Sequence, residues 1–183
     1  MADRPRQPGD PSAMKKTQDS NTPRLHHSSS PITIVSGGQT GADRAALDWA
    51  LEHNVPCGGW CPKGRKAEDG PIDPKYSLKE TPSASYIQRT EWNVRDSDAT
   101  VLFSIKPTLS GGSKSTMEFA RKHKKPWLHL CAGDNAAAVK LKAFTAEHRV
   151  RTLNVAGPRA SNEPGVGEFV IRTLEDAFCD EQK

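Results

Sequence analysis

An α/β domain built on a mostly parallel sheet is the fold this sequence predicts, and three observations predict it. Short apolar, β-branched runs alternate with helix-periodic stretches five times between about residue 31 and residue 180. The runs, of which Ile32-Thr33-Ile34-Val35 is the first, are too apolar to keep one wet face, so both faces of the sheet must be covered. Glycines fall where strands hand over to helices, at Gly37-Gly38, Gly111-Gly112 and Gly157. With 183 residues and 34% hydrophobic content, the chain can bury one core, and a single domain over residues 31–180 is expected.

The elements follow in order. Residues 1–30 are Pro, Ser, Gln, Asp and Lys with almost nothing to bury, which predicts a disordered tail. His26-His27 within it lacks further ligands at metal spacing, so no metal site is expected. After the first strand, Ala42, Ala45, Ala46, Trp49, Ala50 and His53 line one face of a helix, with Trp49 assigned to the core. A second strand is placed near Val55 to Trp60. Residues 61–85, dense in Pro62, Gly64, Gly70, Pro71, Pro74 and Pro82, are expected to hold no regular element and to act as a lid rather than a plain surface excursion.

Tyr86 to Asp96 has helical spacing, with Tyr86, Arg89, Thr90 and Asn93 on one side, and Ala99 to Ile105 is a third strand. Ser110 to about Lys124 is the next helix, its basic end Arg121-Lys122-x-Lys124-Lys125 suiting the helix dipole. Trp127 to Leu130 is a fourth strand. Ala136 to Glu147 is a helix with Val139, Ala143 and Phe144 inward, and Val150 to Val155 is a fifth strand. The last helix carries Val166, Phe169, Val170 and Leu174, with Ser161 or Asn162 as its cap and Pro164 in its first turn. The sum is a Rossmann-like three-layer fold on a mostly parallel sheet of five strands or slightly more, with right-handed crossovers.

The chemistry gathers at the glycine turns. A glycine lets the backbone approach a ligand without a Cβ clash, and the first helical N–H groups carry the positive end of the dipole. In Ser36-Gly37-Gly38-Gln39-Thr40-Gly41-Ala42-Asp43-Arg44, Thr40 and Asp43 have the spacing of a capping box, so the turn is open to two readings, an anion cradle and a capped helix. Ser110-Gly111-Gly112-Ser113-Lys114-Ser115-Thr116 repeats the device but lacks the glycine spacing of a Walker loop. Gly157-Pro158-Arg159-Ala160-Ser161 supplies a third turn. In a parallel sheet all three open at the carboxyl edge, where they can converge on one ligand, with Arg44, Lys114 and Arg159 as charged donors.

Other classes are excluded or disfavoured. The net charge of +4 divides evenly between tail and domain, too mild for a nucleic-acid binder. Cys57, Cys61, Cys131 and Cys179 are few, Cys57 and Cys61 are expected to be buried thiols without metal, and no secretory leader opens the chain, so a reducing cytoplasm is expected. No run approaches the roughly 20 apolar residues that span a membrane.

Five separated motifs then carry a resemblance: Gly37-Gly38-Gln39-Thr40-Gly41-Ala42-Asp43-Arg44, Trp60-Cys61-Pro62-Lys63-Gly64-Arg65 with Glu68-Asp69-Gly70, Ser97-Asp98-Ala99-Thr100, Ser110-Gly111-Gly112 and Asn154-Val155-Ala156-Gly157-Pro158-Arg159. From Ile32 to Phe178 the chain resembles the "putative molybdenum carrier" family, which is similar to molybdenum-cofactor carriers and forms a circularly permuted branch of the SLOG superfamily. The resemblance implies a Rossmann-like fold, a homo-oligomer, and a small anionic ligand at the glycine loops. Molybdenum cofactor is the first expected ligand, with Gly37, Gly38, Gln39, Thr40, Gly41, Asp43, Arg44, Gly111, Gly112, Ser113, Lys114, Ser115, Thr116, Gly157, Pro158, Arg159 and Ser161 around it. The alternative is a nucleotide-processing enzyme similar to the superfamily's phosphoribohydrolases, with Glu118 as the catalytic carboxylate. Here Ser110 replaces that motif's proline, its third glycine is missing, and Glu118 stands too close to Thr116, so a binding protein is the expectation.

Removing residues 1–28 should leave the melting temperature unchanged, because that segment has no apolar periodicity. Differential scanning calorimetry checks it, and a loss of several degrees would mean that the tail docks on the domain.

Overall fold

The computed structural model describes Met1 and residues 32–179. The tail expected over residues 1–30 therefore lies outside the described residues, Met1 apart. Eight strands and five helices follow one another as β1 (Thr33–Val35), α1 (Ala42–Glu52), β2 (Cys57–Cys61), β3 (Lys66–Ala67), β4 (Gly70–Pro71), β5 (Leu78–Glu80), α2 (Tyr86–Arg95), β6 (Ala99–Ser104), α3 (Gly111–Lys122), β7 (Trp127–Cys131), α4 (Ala137–Glu147), β8 (Thr152–Ala156) and α5 (Val166–Phe178). Six strands form one sheet in the order β5-β2-β1-β8-β6-β7, and every neighbouring pair is parallel. Crossovers through α1 and α4 run toward β5, those through α2 and α3 toward β7, and the two sets lie on opposite faces, as right-handed connections demand. This is a Rossmann-like three-layer fold. No described helix is long and apolar enough to cross a membrane.

The two faces of the sheet differ in chemistry. Ile34, Val101, Phe103, Leu153 and Val155 pack against α1, α4 and α5, where Trp49, Phe169, Val170 and Leu174 complete the main core. Trp49 is 1% exposed, stacked on His53 and tilted against Phe178. Strand alternation turns the intervening Thr100, Ser104 and Asn154 to the other face, under α2 and α3. There Asn154 Nδ2 donates to Thr100 Oγ1 at 3.2 Å, so these buried polar atoms are paired within the sheet. Asn93 of α2 extends the same logic: its amide accepts from Trp60 N at 2.7 Å and donates to Trp60 O at 3.0 Å, standing in for a strand beyond the end of β1.

The segment 61–85 departs from expectation. It forms the β3–β4 hairpin and then β5, which becomes the sixth strand of the main sheet by pairing with β2. Its cause is Arg65, whose guanidinium donates to the carbonyls of Ile72, Leu78, Asp73 and Tyr76 at 2.9, 3.2, 2.9 and 3.0 Å. Ile72, Tyr76 and Leu78 are thereby laid onto Leu47 and Cys61 as a second small core. Prolines and glycines, which argue against a strand locally, are overruled by one long-range donor set. In α4 the buried residues are Ala137, Leu141, Phe144 and Thr145, whereas Val139 is 71% exposed and Ala143 faces solvent, so only Phe144 of the expected inward trio is inward. The apolar residues of α4 surround it, and helical phase alone did not choose a face. α5 is capped by Gly165 in the left-handed region, not by Ser161 or Asn162, and Pro164 precedes that cap.

Replacing Arg65 with methionine should cost about 2 to 3 kcal/mol, because four backbone carbonyls, three of them partly buried, lose a charged donor at once. Urea denaturation checks it; an unchanged midpoint would show that β5 holds its place without Arg65.

Candidate functional site

β1, β8 and β6 stand side by side, so the segments that follow them emerge at one carboxyl edge. Together with the N-terminus of α2 they enclose a cavity of about 560 Å³, within the range of small-molecule sites.

The wall nearest β1 is set by an ion pair. Arg89 Nη1 of α2 donates to Asp43 Oδ2 of α1 at 2.8 Å, and both side chains are almost wholly buried. Burial pushes the Asp43 carboxyl above its ordinary range, while the Arg89 guanidinium and backbone donors oppose it. Gly37 makes room for this pair, since a Cβ there would fall 1.8 Å from Arg89 Nη1. Gly41, with φ of 79°, would put a Cβ 2.5 Å from Pro158 O, so the loops after β1 and β8 interlock backbone to backbone.

The three glycine turns are not equivalent. At α1 the expected capping box is absent: the cap is Gly41, and the Thr40 hydroxyl donates to Glu68 instead. Asp43 reaches back to Gln39 N at 3.4 Å, Gln39 Oε1 accepts from Thr40 N at 3.0 Å, and Pro158 O accepts from Ala42 N at 3.3 Å. The N–H groups of Gln39, Thr40 and Ala42 there already have protein partners. α3 is different, because Gly111, Gly112 and Ser113 line the cavity and the cap Ser110 makes no side-chain bond to them. A Cβ on Gly111 or Gly112 would meet nothing within 4 Å. The first N–H groups of α3 lack intrahelical acceptors by construction and carry the positive end of the dipole into open space.

Two further donors are without partners. Gln39 is 5% exposed and lines the cavity, and its Nε2 has no hydrogen-bond partner among the described residues. Arg89 Nε is likewise buried and unpaired. Native proteins rarely leave buried donors unsatisfied, so the pair marks a place for an acceptor. Arg159 lies over the Tyr86 ring at 5.1 Å, with Arg89 5.9 Å from the same ring. Among the described residues neither Arg159 nor the cavity-lining Lys106 is in a salt bridge. Glu163, the buried carboxylate of this wall, accepts from Ile105 N at 2.5 Å and Lys106 N at 3.3 Å and so fixes the loop after β6. Beside the cavity, Glu68 holds the hairpin to both glycine loops by accepting from Thr40 and from Ser161 Oγ at 2.5 Å, contacts that draw its carboxyl below the usual range.

Of the residues expected from sequence, Gln39, Asp43, Gly111, Gly112, Ser113, Thr116, Gly157, Pro158, Arg159 and Ser161 line the cavity. Gly37, Gly38, Thr40, Gly41, Arg44, Lys114 and Ser115 are not among its lining residues. Gly37, Gly38 and Gly41 instead shape the loop from behind, and Arg44 is turned to Asp69 at 2.5 and 3.1 Å and to Gly38 O at 3.3 Å. Lys114 and Glu118 occupy the exposed side of α3. Sequence reasoning left out Tyr86, Arg89, Thr90, Ser104, Lys106 and Glu163, all of which line the cavity. For the first three a signal existed: Tyr86, Arg89, Thr90 and Asn93 form a polar stripe at helical spacing, which is the face that α2 turns inward. Among the described residues no group of three or more His, Cys, Asp or Glu side chains could hold a metal ion.

Residues 34–178 match the model of the circularly permutated YpsA SLOG family. The chain belongs to that family. Its fold is also that of a crystal structure from Syntrophus aciditrophicus SB described as a putative molybdenum carrier protein, with a TM-score of 0.79 and 45% identity over 81% of this chain and 96% of that one. No curated protein matches the sequence. In this SLOG-family chain the matched span runs from β1 to the end of α5 and so contains every wall of the cavity.

Replacing Arg89 with leucine should destabilise the domain by about 3 to 5 kcal/mol, because it strands the Asp43 carboxylate in a buried place. Thermal melts check it, and the double variant with Asp43→Asn should recover part of the loss.

Proposed function

We propose that this protein is a carrier that holds a small phosphate-bearing heterocycle, a pterin of the molybdenum-cofactor kind, without transforming it. One observation carries the reading: the N-terminus of α3 opens into a cavity where Gln39 Nε2 and Arg89 Nε lack acceptors. An anionic group set against Gly111, Gly112 and Ser113 would receive backbone N–H bonds and the dipole's field, and it would satisfy donors that are costly to leave unpaired. The family's solved relative from Syntrophus, with its carrier description, supports the choice of a molybdenum-related cargo. The residues fit such a cargo in charge and in room: Arg159 and Lys106 are cations at the wall outside any salt bridge among the described residues, and Tyr86 with Arg159 offers a flat surface for a planar ring. Glu118, exposed and off the cavity wall, is not placed to act as the catalytic carboxylate of the phosphoribohydrolase reading.

Binding of molybdenum cofactor, and separately of AMP, to the full chain tests the proposal by calorimetry, with free ribose assayed in parallel. The cofactor should bind, no ribose should appear, and Arg159→Ala should weaken binding by about 1 to 3 kcal/mol without shifting the melt. Gly112→Leu should abolish binding while preserving the fold, since its side chain would fill open space over the α3 N–H groups. Retention of full affinity in Gly112→Leu, or hydrolysis of AMP, would overturn the reading.

A further inference from the structure

On the polar face of the sheet, β6 and β7 bring together two residues that the anion site does not use. Leu102 is in register with His129, and Ser104 lies two residues farther along the same face. Ser104 Oγ is 2.7 Å from His129 Nε2 and 2.5 Å from Lys106 O. In the tautomer with Nε2 unprotonated, the hydroxyl has one proton for two acceptors, and rotation about its Cβ–Oγ bond moves that proton between them with no heavy atom displaced. Ser104 lines the cavity, as do Gln39 and the opening residues of α3.

We propose that Ser104 and His129 form a nucleophile–base pair that gives the cavity an acyl-transfer activity toward small carboxylic esters bearing an anionic group. Ser104 Oγ attacks the ester carbonyl while its proton passes to His129 Nε2. The C–O bond to the alcohol then breaks, and the alkoxide leaves with the proton from His129. Water, deprotonated by His129, attacks the acyl-serine, the acid departs, and the proton returns to Ser104 Oγ. The N–H groups that open α3 and the unpartnered Gln39 Nε2 are the donors available to a carbonyl oxygen that becomes negative. Lys106 and Arg159 account for the anionic end of the substrate.

The surroundings of the pair agree with its roles. Burial lowers the pKa of His129, keeping the imidazole neutral and able to take a proton, while the Glu163 carboxylate works in the other direction and favours the imidazolium once formed. Glu163 also holds the backbone of Ile105 and Lys106, and with it the carbonyl that positions the Ser104 hydroxyl. An ester at this pair would occupy the same cavity as the proposed cargo and use the same α3 N–H groups, so the two would compete for it.

The test treats the full chain with a small fluorophosphonate probe, with adduct mass and site read by mass spectrometry, and follows p-nitrophenyl acetate hydrolysis in parallel. Ser104 Oγ should bond to phosphorus, the P–F bond should break, and fluoride should leave as the hydroxyl proton passes to His129. One adduct per chain is expected on Ser104, none in Ser104→Ala, and labelling about 100-fold slower in His129→Gln. The labelling rate of the unsubstituted chain should fall on acidification with a midpoint below the ordinary histidine value, because protonated His129 cannot accept the proton. That profile decides the matter if His129→Gln does not fold. A chain that stays unlabelled at Ser104, labels equally fast in a folded His129→Gln, or labels without pH dependence overturns the proposal.

Discussion

The Asp43–Arg89 pair is the constraint on which the rest of the site depends. It joins the first turn of α1 to the second turn of α2, two helices on opposite faces of the sheet, through the gap that the end of β1 leaves open. Only a residue without a side chain can stand at Gly37 beneath the guanidinium, and the loop that follows must then turn sharply through Gly38 and Gly41, at φ of 75° and 79°. The loop in turn fixes the placement of Gln39, whose Oε1 takes the N–H groups of Thr40 and Glu68 and whose Nε2 is left over. A buried pair of this kind contributes little net stability over an apolar packing, yet losing one member is severe, so its main effect is to specify a single arrangement.

The unequal faces of the sheet explain why the cavity lies where it does. The face toward α1, α4 and α5 is closed by interdigitated apolar side chains, including the Phe103–Phe169 edge contact at 5.4 Å. Close packing leaves no room for a ligand there. The face toward α2 and α3 carries Thr100, Ser104 and Asn154, and those helices answer with Asn93, Thr116 and Arg89. Polar groups need directed partners, and directed partners do not fill space as uniformly as methyl groups do. The cavity is the widening of that polar layer at the carboxyl end of the strands.

Much of the fold was legible in the sequence, and the exceptions have physical causes. Strong periodicity marked α1, α2 and α5, and unbroken β-branched or apolar runs marked β1, β6 and β8, because local pattern and tertiary burial agree there. β5 was not legible. Leu78-Lys79-Glu80 has no apolar run, and the segment is held by the reach of Arg65 across as many as 13 residues, a bond no local window contains. The inward face of α4 was obscured by apolar residues on all sides. At the candidate site, glycine turns pointed to the edge of the sheet where the cavity lies, whereas Arg44 and Lys114, singled out by charge, do not line it. An arginine beside a glycine loop has no preference for a ligand over Asp69, and only the fold puts Asp69 within reach.

What separates a glycine that serves the fold from one that serves a ligand is where its missing Cβ points. At Gly37, Gly41 and Gly157 the vacant volume is already occupied by Arg89, by the Pro158 carbonyl, and by Ala42 and the Phe103 carbonyl, so the glycine has been used to bring protein against protein. At Gly111 and Gly112 it is open, but Gly111 has φ of 50°, which itself favours glycine, so only at Gly112 would the helix start take alanine or serine without strain. Gly112, with neither a clash nor a positive φ to account for it, leaves the helix less stable than alanine would and keeps the backbone there open to approach. The same α3 terminus lacks a side-chain cap and faces the unpartnered Gln39 within one cavity, so backbone, side chain and void agree on a single place for a ligand's anionic group.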